Sequence, residues 1–149
     1  MFCQVFSILR RRRLDFFKAY NRVMLDFLLT VMKKMNFNLK FCSLIKMLHA
    51  GAKTRFILLF LTKVINVNFS IRQGDPLAMI LYIIYIEPLL IYLERKAVGL
   101  KIGGISQCLG AYCDDINILT NHISDFYVLD SAVRKLEAVS GAILSRDKK

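Results

Sequence analysis

The sequence predicts a single continuous α/β unit, on three observations. The apolar spacing switches from a period near 3.6 to a period of 2 partway along the chain. Helix-starting and helix-ending residues flank the longer periodic segments, and the 149 residues contain no internal repeat, low-complexity tract or linker. A chain of this size supports one hydrophobic core and no more than one ordinary domain.

From Asn21 to Met35, apolar side chains fall at Val23, Met24, Phe27, Leu28, Val31, Met32 and Met35, leaving Arg22, Asp26, Thr30 and Lys33 for the other face of a helix that Asn36 ends. A second helix fits Leu39 to Ala50, with Asn38 as its cap and Gly51 as its stop. Thr54 to Leu61 is an apolar run of strand type, and Ile65, Val67 and Phe69 alternate with Asn66, Asn68 and Ser70 as a half-buried strand does. Asp75-Pro76 is a strong helix start, because Asp accepts from free amides and Pro suits the first helical position. That helix runs to about Ala97, with Pro88 expected to kink or divide it. Gly99, Gly103 and Gly104 bracket a short strand at Leu100 to Ile102. Strands follow at Gln107 to Cys113 and Ile116 to Leu119, with Asp114 and Asp115 between them. A last helix spans Ser124 to Ser140, presenting Val128, Leu129, Ala132, Val133, Leu136 and Val139 on one face before Gly141 closes it.

Composition narrows the partners. With 22 Lys and Arg against 11 Asp and Glu, the formal charge of +11 favours a polyanion, nucleic acid first and an anionic membrane surface second. The apolar fraction of 56% exceeds the roughly 45–50% of ordinary soluble domains, so either the core is very buried or the chain is cut from something larger. Cys3, Cys42, Cys108 and Cys113 form no CxxC pair and argue against structural zinc; they read as buried thiols of an intracellular protein. The apolar Met1–Leu9 precedes the arginines, the wrong order for a secretory signal. Leu77 to Leu93 is at the short limit for a membrane span and contains Glu87 and Pro88, which suits a buried core helix better.

Asp114 and Asp115 place two like charges where strands turn. Such a doublet is either an ordinary hairpin turn or a pair that needs a cation between its carboxylates. Its context is more specific. Leu14-Asp15-Phe16-Phe17-Lys18-Ala19-Tyr20 comes first, followed by Arg72-Gln73-Gly74-Asp75-Pro76-Leu77 leading into a helix that contains Ile86-Glu87-Pro88-Leu89. Then come Ala111-Tyr112-Cys113-Asp114-Asp115 and finally Ser140-Gly141-Ala142-Ile143-Leu144-Ser145-Arg146-Asp147-Lys148. In order and spacing these segments resemble palm motifs A, B, C and D of the reverse transcriptases of non-LTR, LINE-type retrotransposons.

The resemblance implies a polymerase palm, an α+β fold with a ferredoxin-like antiparallel sheet backed by helices. It implies that Asp15, Asp114 and Asp115, with the backbone carbonyl of Phe16, hold two Mg²⁺ ions near a primer 3′-hydroxyl and an incoming dNTP. Two such ions, roughly 4 Å apart, lower the pKa of the attacking hydroxyl and stabilise the leaving pyrophosphate, and Mg²⁺ prefers hard oxygen ligands. By the same resemblance Tyr20 lies beneath the sugar and excludes a ribose 2′-hydroxyl, and Gln73 and Gly74 lie against the template and nascent pair. Arg72 contacts phosphate, and Lys148 acts at the leaving pyrophosphate. The implied partners are an RNA template, a DNA primer and a dNTP, with no membrane. Each residue also has a plain structural reading: Asp15 as a helix cap, Tyr20 as a core aromatic, Gly74 as a turn glycine and Lys148 as a solvated lysine.

The chain departs from the family in two ways. Arg10 to Arg13 stand where the family has an apolar strand, and four arginines cannot be buried without counter-charges, so residues 1–13 are expected to be a solvated basic tail before a partial palm at 14–149. The family's fingers and thumb are expected to lie outside the sequence. Two functions therefore compete: an RNA-directed DNA polymerase palm, inactive alone, and a non-enzymatic basic retrotransposon remnant that at most binds nucleic acid.

Overall fold

A computed structural model describes residues 10–49, 52–54, 65–67, 71, 74–102 and 104–145. Its mixed α/β elements run in the order β1 (Arg10–Leu14), a 3₁₀ turn (Ala19–Arg22), α1 (Leu25–Lys34), α2 (Leu39–His49), β2 (Ala52–Thr54), β3 (Ile65–Val67) and α3 (Ala78–Lys96). They continue with β4 (Leu100–Ile102), β5 (Ile105–Gln107), β6 (Leu109–Tyr112), β7 (Asp115–Thr120) and α4 (Ser124–Ser140). A small antiparallel sheet has the order β1-β7-β6, and β2–β3 and β4–β5 form separate antiparallel pairs.

The arginine run corrects the expectation of a tail. Arg10–Leu14 is a strand, paired antiparallel with β7 from Arg10↔Thr120 to Leu14↔Ile116, and all four arginines remain exposed. The strand forms without burying a guanidinium, because β7 supplies the apolar layer through Ile116, Ile118 and Thr120 and β1 adds only Leu14 to it. On the outer face, Arg11 and Arg13 reach diagonally to Asn117 and Asp115.

Helices supply the rest of the core. Leu28 and Met32 of α1, Leu81, Tyr82, Tyr85, Ile86, Leu89 and Leu93 of α3, and Leu129, Val133 and Leu136 of α4 belong with Leu14 and Ile116 to one buried cluster. Pro88 does not divide α3, which runs unbroken from Ala78 to Lys96 and packs on both α1 and α4. No helix among the described residues is long and apolar enough to cross a membrane.

Helix α1 starts later than its apolar spacing suggests. Tertiary contacts pull the preceding residues away from helix: Arg22 donates to the Gly141 carbonyl at 3.0 Å, Met24 N–H to the Ser140 carbonyl at 3.4 Å, and Val23 is extended and buried. Tyr85 adds a hydroxyl bond to the same Ser140 carbonyl at 2.9 Å. Gly141, at φ +79°, must be glycine here, since a Cβ would lie 2.9 Å from Met24 Cγ and 3.0 Å from the Arg22 carbonyl. Val139, expected on the core face of α4, is exposed; Asp125 and Ser140 are buried instead. The expected strand at Thr54 to Leu61 has only Thr54 among the described residues, as the end of β2. The segment expected as one strand from Gln107 to Cys113 is shared between β5 and β6. Of the cysteines, Cys42 and Cys108 are buried free thiols and Cys113 is partly buried; Cys3 lies outside the described residues.

Candidate active site

Asp15 follows the last residue of β1 and Asp115 opens β7. Leu14 is opposite Ile116, so continuing the register by one residue sets the two aspartates at the same end of adjacent strands. Leu14 and Ile116 are fully buried, and the residues that follow and precede them, Asp15 and Asp115, come at the end of that buried pair.

The hairpin that presents the doublet turns one residue earlier than the sequence suggests. Tyr112 pairs with Asp115, so only Cys113 and Asp114 form the turn, and Asp115 belongs to the strand. Cys113 takes a left-handed conformation at φ 52°, uncommon for a residue with a side chain, and the turn holds it there.

Asp114 lies in a different environment from its neighbour. The Tyr20 phenol is pushed up to about 12, first by burial and then by Cys113, Asp114 and Tyr112. Tyr82 is also raised, by burial first, then by Tyr85, Asp114, Tyr20 and Cys113. The Tyr20 and Tyr82 rings are 5.0 Å apart. These shared influences place Asp114 within electrostatic reach of a tyrosine pair from the 3₁₀ turn and α3.

Two further segments reach this region through the backbone. Ser145 N–H donates to the Asp15 carbonyl at 2.7 Å and Phe17 N–H to the Ile143 carbonyl at 2.8 Å, around an antiparallel bridge between Phe16 and Leu144. The Phe16 ring is buried, and strand alternation turns its carbonyl away from the 143–145 segment. Ile71 N–H donates to the Tyr20 carbonyl at 3.1 Å, which ties the start of the Arg72-Gln73-Gly74 loop to the motif A segment. Gly74 is exposed at φ +90°, a conformation that suits glycine. Asp75 accepts from Leu77 N–H at 2.8 Å, as its helix-start position requires. Arg72, Gln73 and Lys148 lie outside the described residues.

Arg13 is the residue that sequence reasoning missed here. Its Nε and Nη2 both donate to Asp115 Oδ1, at 3.0 and 2.6 Å, with both side chains more than half exposed. The signal was present in the spacing, since Arg13 and Asp15 are two apart and share one strand face. Tyr82 was also missed, because in sequence it is one more apolar position of α3.

Carboxylates are the donors Mg²⁺ prefers, so the residues fit a divalent ion in kind. Their arrangement does not fit one. Among the described residues no three His, Cys, Asp or Glu side chains are grouped to hold a metal, and Asp115 is engaged by Arg13. A groove of about 610 Å³ between α1 and α3, lined by Phe27, Val31, Pro88, Tyr92 and Lys96 among others, touches none of the three aspartates.

The family described as reverse transcriptase (RNA-dependent DNA polymerase) matches residues 12–148, nearly the whole chain. The chain belongs to the reverse transcriptase family. The match takes in all four sequence motifs and begins inside the arginine strand. The chain is also 28% identical over 138 residues to the Transposon TX1 uncharacterized 149 kDa protein of Xenopus laevis, covering 91% of this chain and 11% of that protein. Both findings support the reverse transcriptase domain of a non-LTR retrotransposon that the motifs indicated. Reverse transcriptases act on nucleic acid and generally use divalent metals such as Mg²⁺.

Proposed function

We propose that this chain is the palm portion of an RNA-directed DNA polymerase from a non-LTR element, and that its ancestral reaction is nucleotidyl transfer from a dNTP to a primer 3′-hydroxyl on an RNA template. The observation that supports the reading is the β1–β7 register, in which the strand before Asp15 ends opposite Ile116, one residue into the strand that Asp115 opens, with Asp114 in the turn before it. In this reading the antiparallel sheet with its helices is the ferredoxin-like palm, and the three aspartates, with the Phe16 carbonyl, stand at the sequence positions where the family would hold two Mg²⁺ ions. Tyr20, held at the hairpin turn, is the residue beneath the sugar. Arg72, Gln73 and Gly74 meet the template and nascent pair, and Lys148 meets the leaving pyrophosphate.

The chain by itself is proposed to be silent in that reaction. The aspartates are not gathered into one set among the described residues, and Asp115 is hydrogen-bonded by the Arg13 guanidinium. The same observations favour the second reading, a basic remnant that binds nucleic acid through charge alone, for which the exposed arginines of β1 are suited.

Purified chain supplied with primer, RNA template, dNTPs and Mg²⁺ separates the readings. Incorporation abolished by Asp114→Ala establishes the enzyme and overturns the silence of the isolated chain. Salt-sensitive binding without incorporation agrees with that silence. If binding is also absent at low salt, both nucleic-acid readings fail.

A further inference from the structure

The groove of about 610 Å³ between α1 and α3 continues into a second hollow, of about 170 Å³, between α3 and α4, and the two share Phe27, Pro88 and Tyr92. All three helices present a stripe at helical spacing to this surface. Phe27 and Val31 of α1 form one wall, Pro88 and Tyr92 of α3 the floor, and Leu136 and Val139 of α4 the other wall. Phe27–Lys34, Pro88–Arg95 and Ala132–Val139 are each two turns, about 10 Å long. Val139, the apolar α4 position whose spacing assigned it to the core, is 58% exposed here, and Met35 on the α1 side is exposed too. The rim is basic. Lys34, Arg95, Lys96 and Lys135 line it against one carboxylate, Glu87. Lys34, Arg95 and Lys96 are exposed and enter no ion pair among the described residues. Lys135 is fixed over the Tyr92 ring at 4.9 Å and donates to its hydroxyl at 3.2 Å.

We propose that this groove docks an acidic amphipathic helix of a partner protein, its apolar stripe laid along Pro88 and Tyr92 between the α1 and α4 walls and its carboxylates against Lys34, Arg95 and Lys96. A helix in a groove is held by apolar anchors spaced as these walls are, and flanking charge selects which helix enters. Free cations around an apolar floor select carboxylates. A second copy of the chain is the poorer fit, since at +11 it brings like charge to the rim. Single-stranded nucleic acid also fits less well. Bases need ring faces to stack on, whereas this floor is mainly aliphatic and Tyr92, one of its two rings, already carries Lys135. None of the three aspartates lines the groove, so docking there is independent of nucleotidyl transfer.

Fluorescence anisotropy with the full chain tests this, using a labelled helical peptide that carries leucine at i, i+3, i+4 and i+7 and glutamate on its flanks. A second peptide has lysine in place of each glutamate, and labelled single-stranded RNA is the third probe. Circular dichroism confirms that each protein variant folds. Val139→Asp puts a charge on the α4 wall at an already exposed position, and is expected to weaken the acidic peptide about tenfold, as loss of an interface anchor does. Arg95→Glu should weaken the acidic peptide and strengthen the lysine peptide. Met47→Asp, at an exposed apolar position of α2 outside the groove, should leave the acidic peptide unchanged. Failure of the acidic peptide to bind the wild type, equal binding of the lysine peptide, or an equal loss from Met47→Asp and Val139→Asp would overturn the proposal. RNA binding weakened by Val139→Asp as strongly as peptide binding would give the groove to nucleic acid and overturn it as well. None of these outcomes bears on primer extension, which reads the aspartates.

Discussion

Ser145 donates its amide to the carbonyl of Asp15 at 2.7 Å, which joins the C-terminal motif to the first aspartate across almost the whole length of the chain. Through this bond the segment after α4 contributes to the position of Asp15. Ser145→Pro removes the donor and is expected to cost about 1–2 kcal/mol by leaving the carbonyl without its partner. Ser145→Ala keeps the amide and should be close to neutral. Urea denaturation of both variants measures the difference, and equal midpoints would show that the bond is not made.

Among the described residues Asp125 is a buried carboxylate. It accepts from Val98 N–H at 3.0 Å and Gly99 N–H at 2.9 Å, one on each oxygen, and from the Thr120 hydroxyl. Burial alone would raise its pKa, but these donors outweigh burial and hold the group below the ordinary carboxylate value. A depressed folded value means that its contribution to stability is present above the unfolded pKa, about 3.9, and is lost as pH falls through the folded value. Asp125→Asn puts an NH₂ against a backbone donor and should cost about 2 kcal/mol at neutral pH. Chemical denaturation of wild type and variant at neutral pH and then in acid should show the gap narrowing; a gap independent of pH would contradict the assignment.

Tyr20 should titrate late. Its phenol, pushed up to about 12 by burial first and then by Cys113, Asp114 and Tyr112, is read by alkaline absorbance titration of wild type minus Tyr20→Phe. Because the folded value is raised, the stabilising contribution of Tyr20 is full below about 10, the unfolded value, and is lost as pH rises through the folded one. Asp114→Asn should lower the midpoint only part of the way, since burial is the larger cause. A midpoint at the ordinary tyrosine value would remove the evidence that Tyr20 lies against the hairpin.

Much of this fold was legible because its strongest signals are local. The Ser124–Ser140 helix has the bounds its apolar spacing and Gly141 implied, Asn38 accepts from Lys40 N–H at 2.8 Å at the start of α2, and Asp75 does the same for Leu77. The departures are non-local. The 3₁₀ turn and extended Val23 ahead of α1 answer to the carbonyls of Ser140 and Gly141, more than a hundred residues away. The arginine strand was misread because burial was assumed to follow from pairing, whereas β1 pairs while its arginines stay in water. In the site, the motif residues named the aspartates. Their separation, with Asp15 and Asp115 at one end of the β1–β7 pair and Asp114 near Tyr20 and Tyr82, depends on a turn placed one residue earlier than the doublet suggested, so that Asp115 belongs to β7. Nor could spacing show that Asp115 is held by Arg13, which needs the register of a strand that charge alone argued against.

The placement of Asp15 beside Asp115 depends on β1 pairing with β7, and nuclear magnetic resonance of the full chain measures that pairing directly. Cross-strand contacts between Leu14 and Ile116 and between Arg12 and Ile118, together with slowed amide exchange across Arg10–Leu14, are the expected result. Absence of those contacts, with residues 10–14 exchanging at free-chain rates, would return the arginines to a solvated tail and leave Asp15 without a structural reason to meet Asp115.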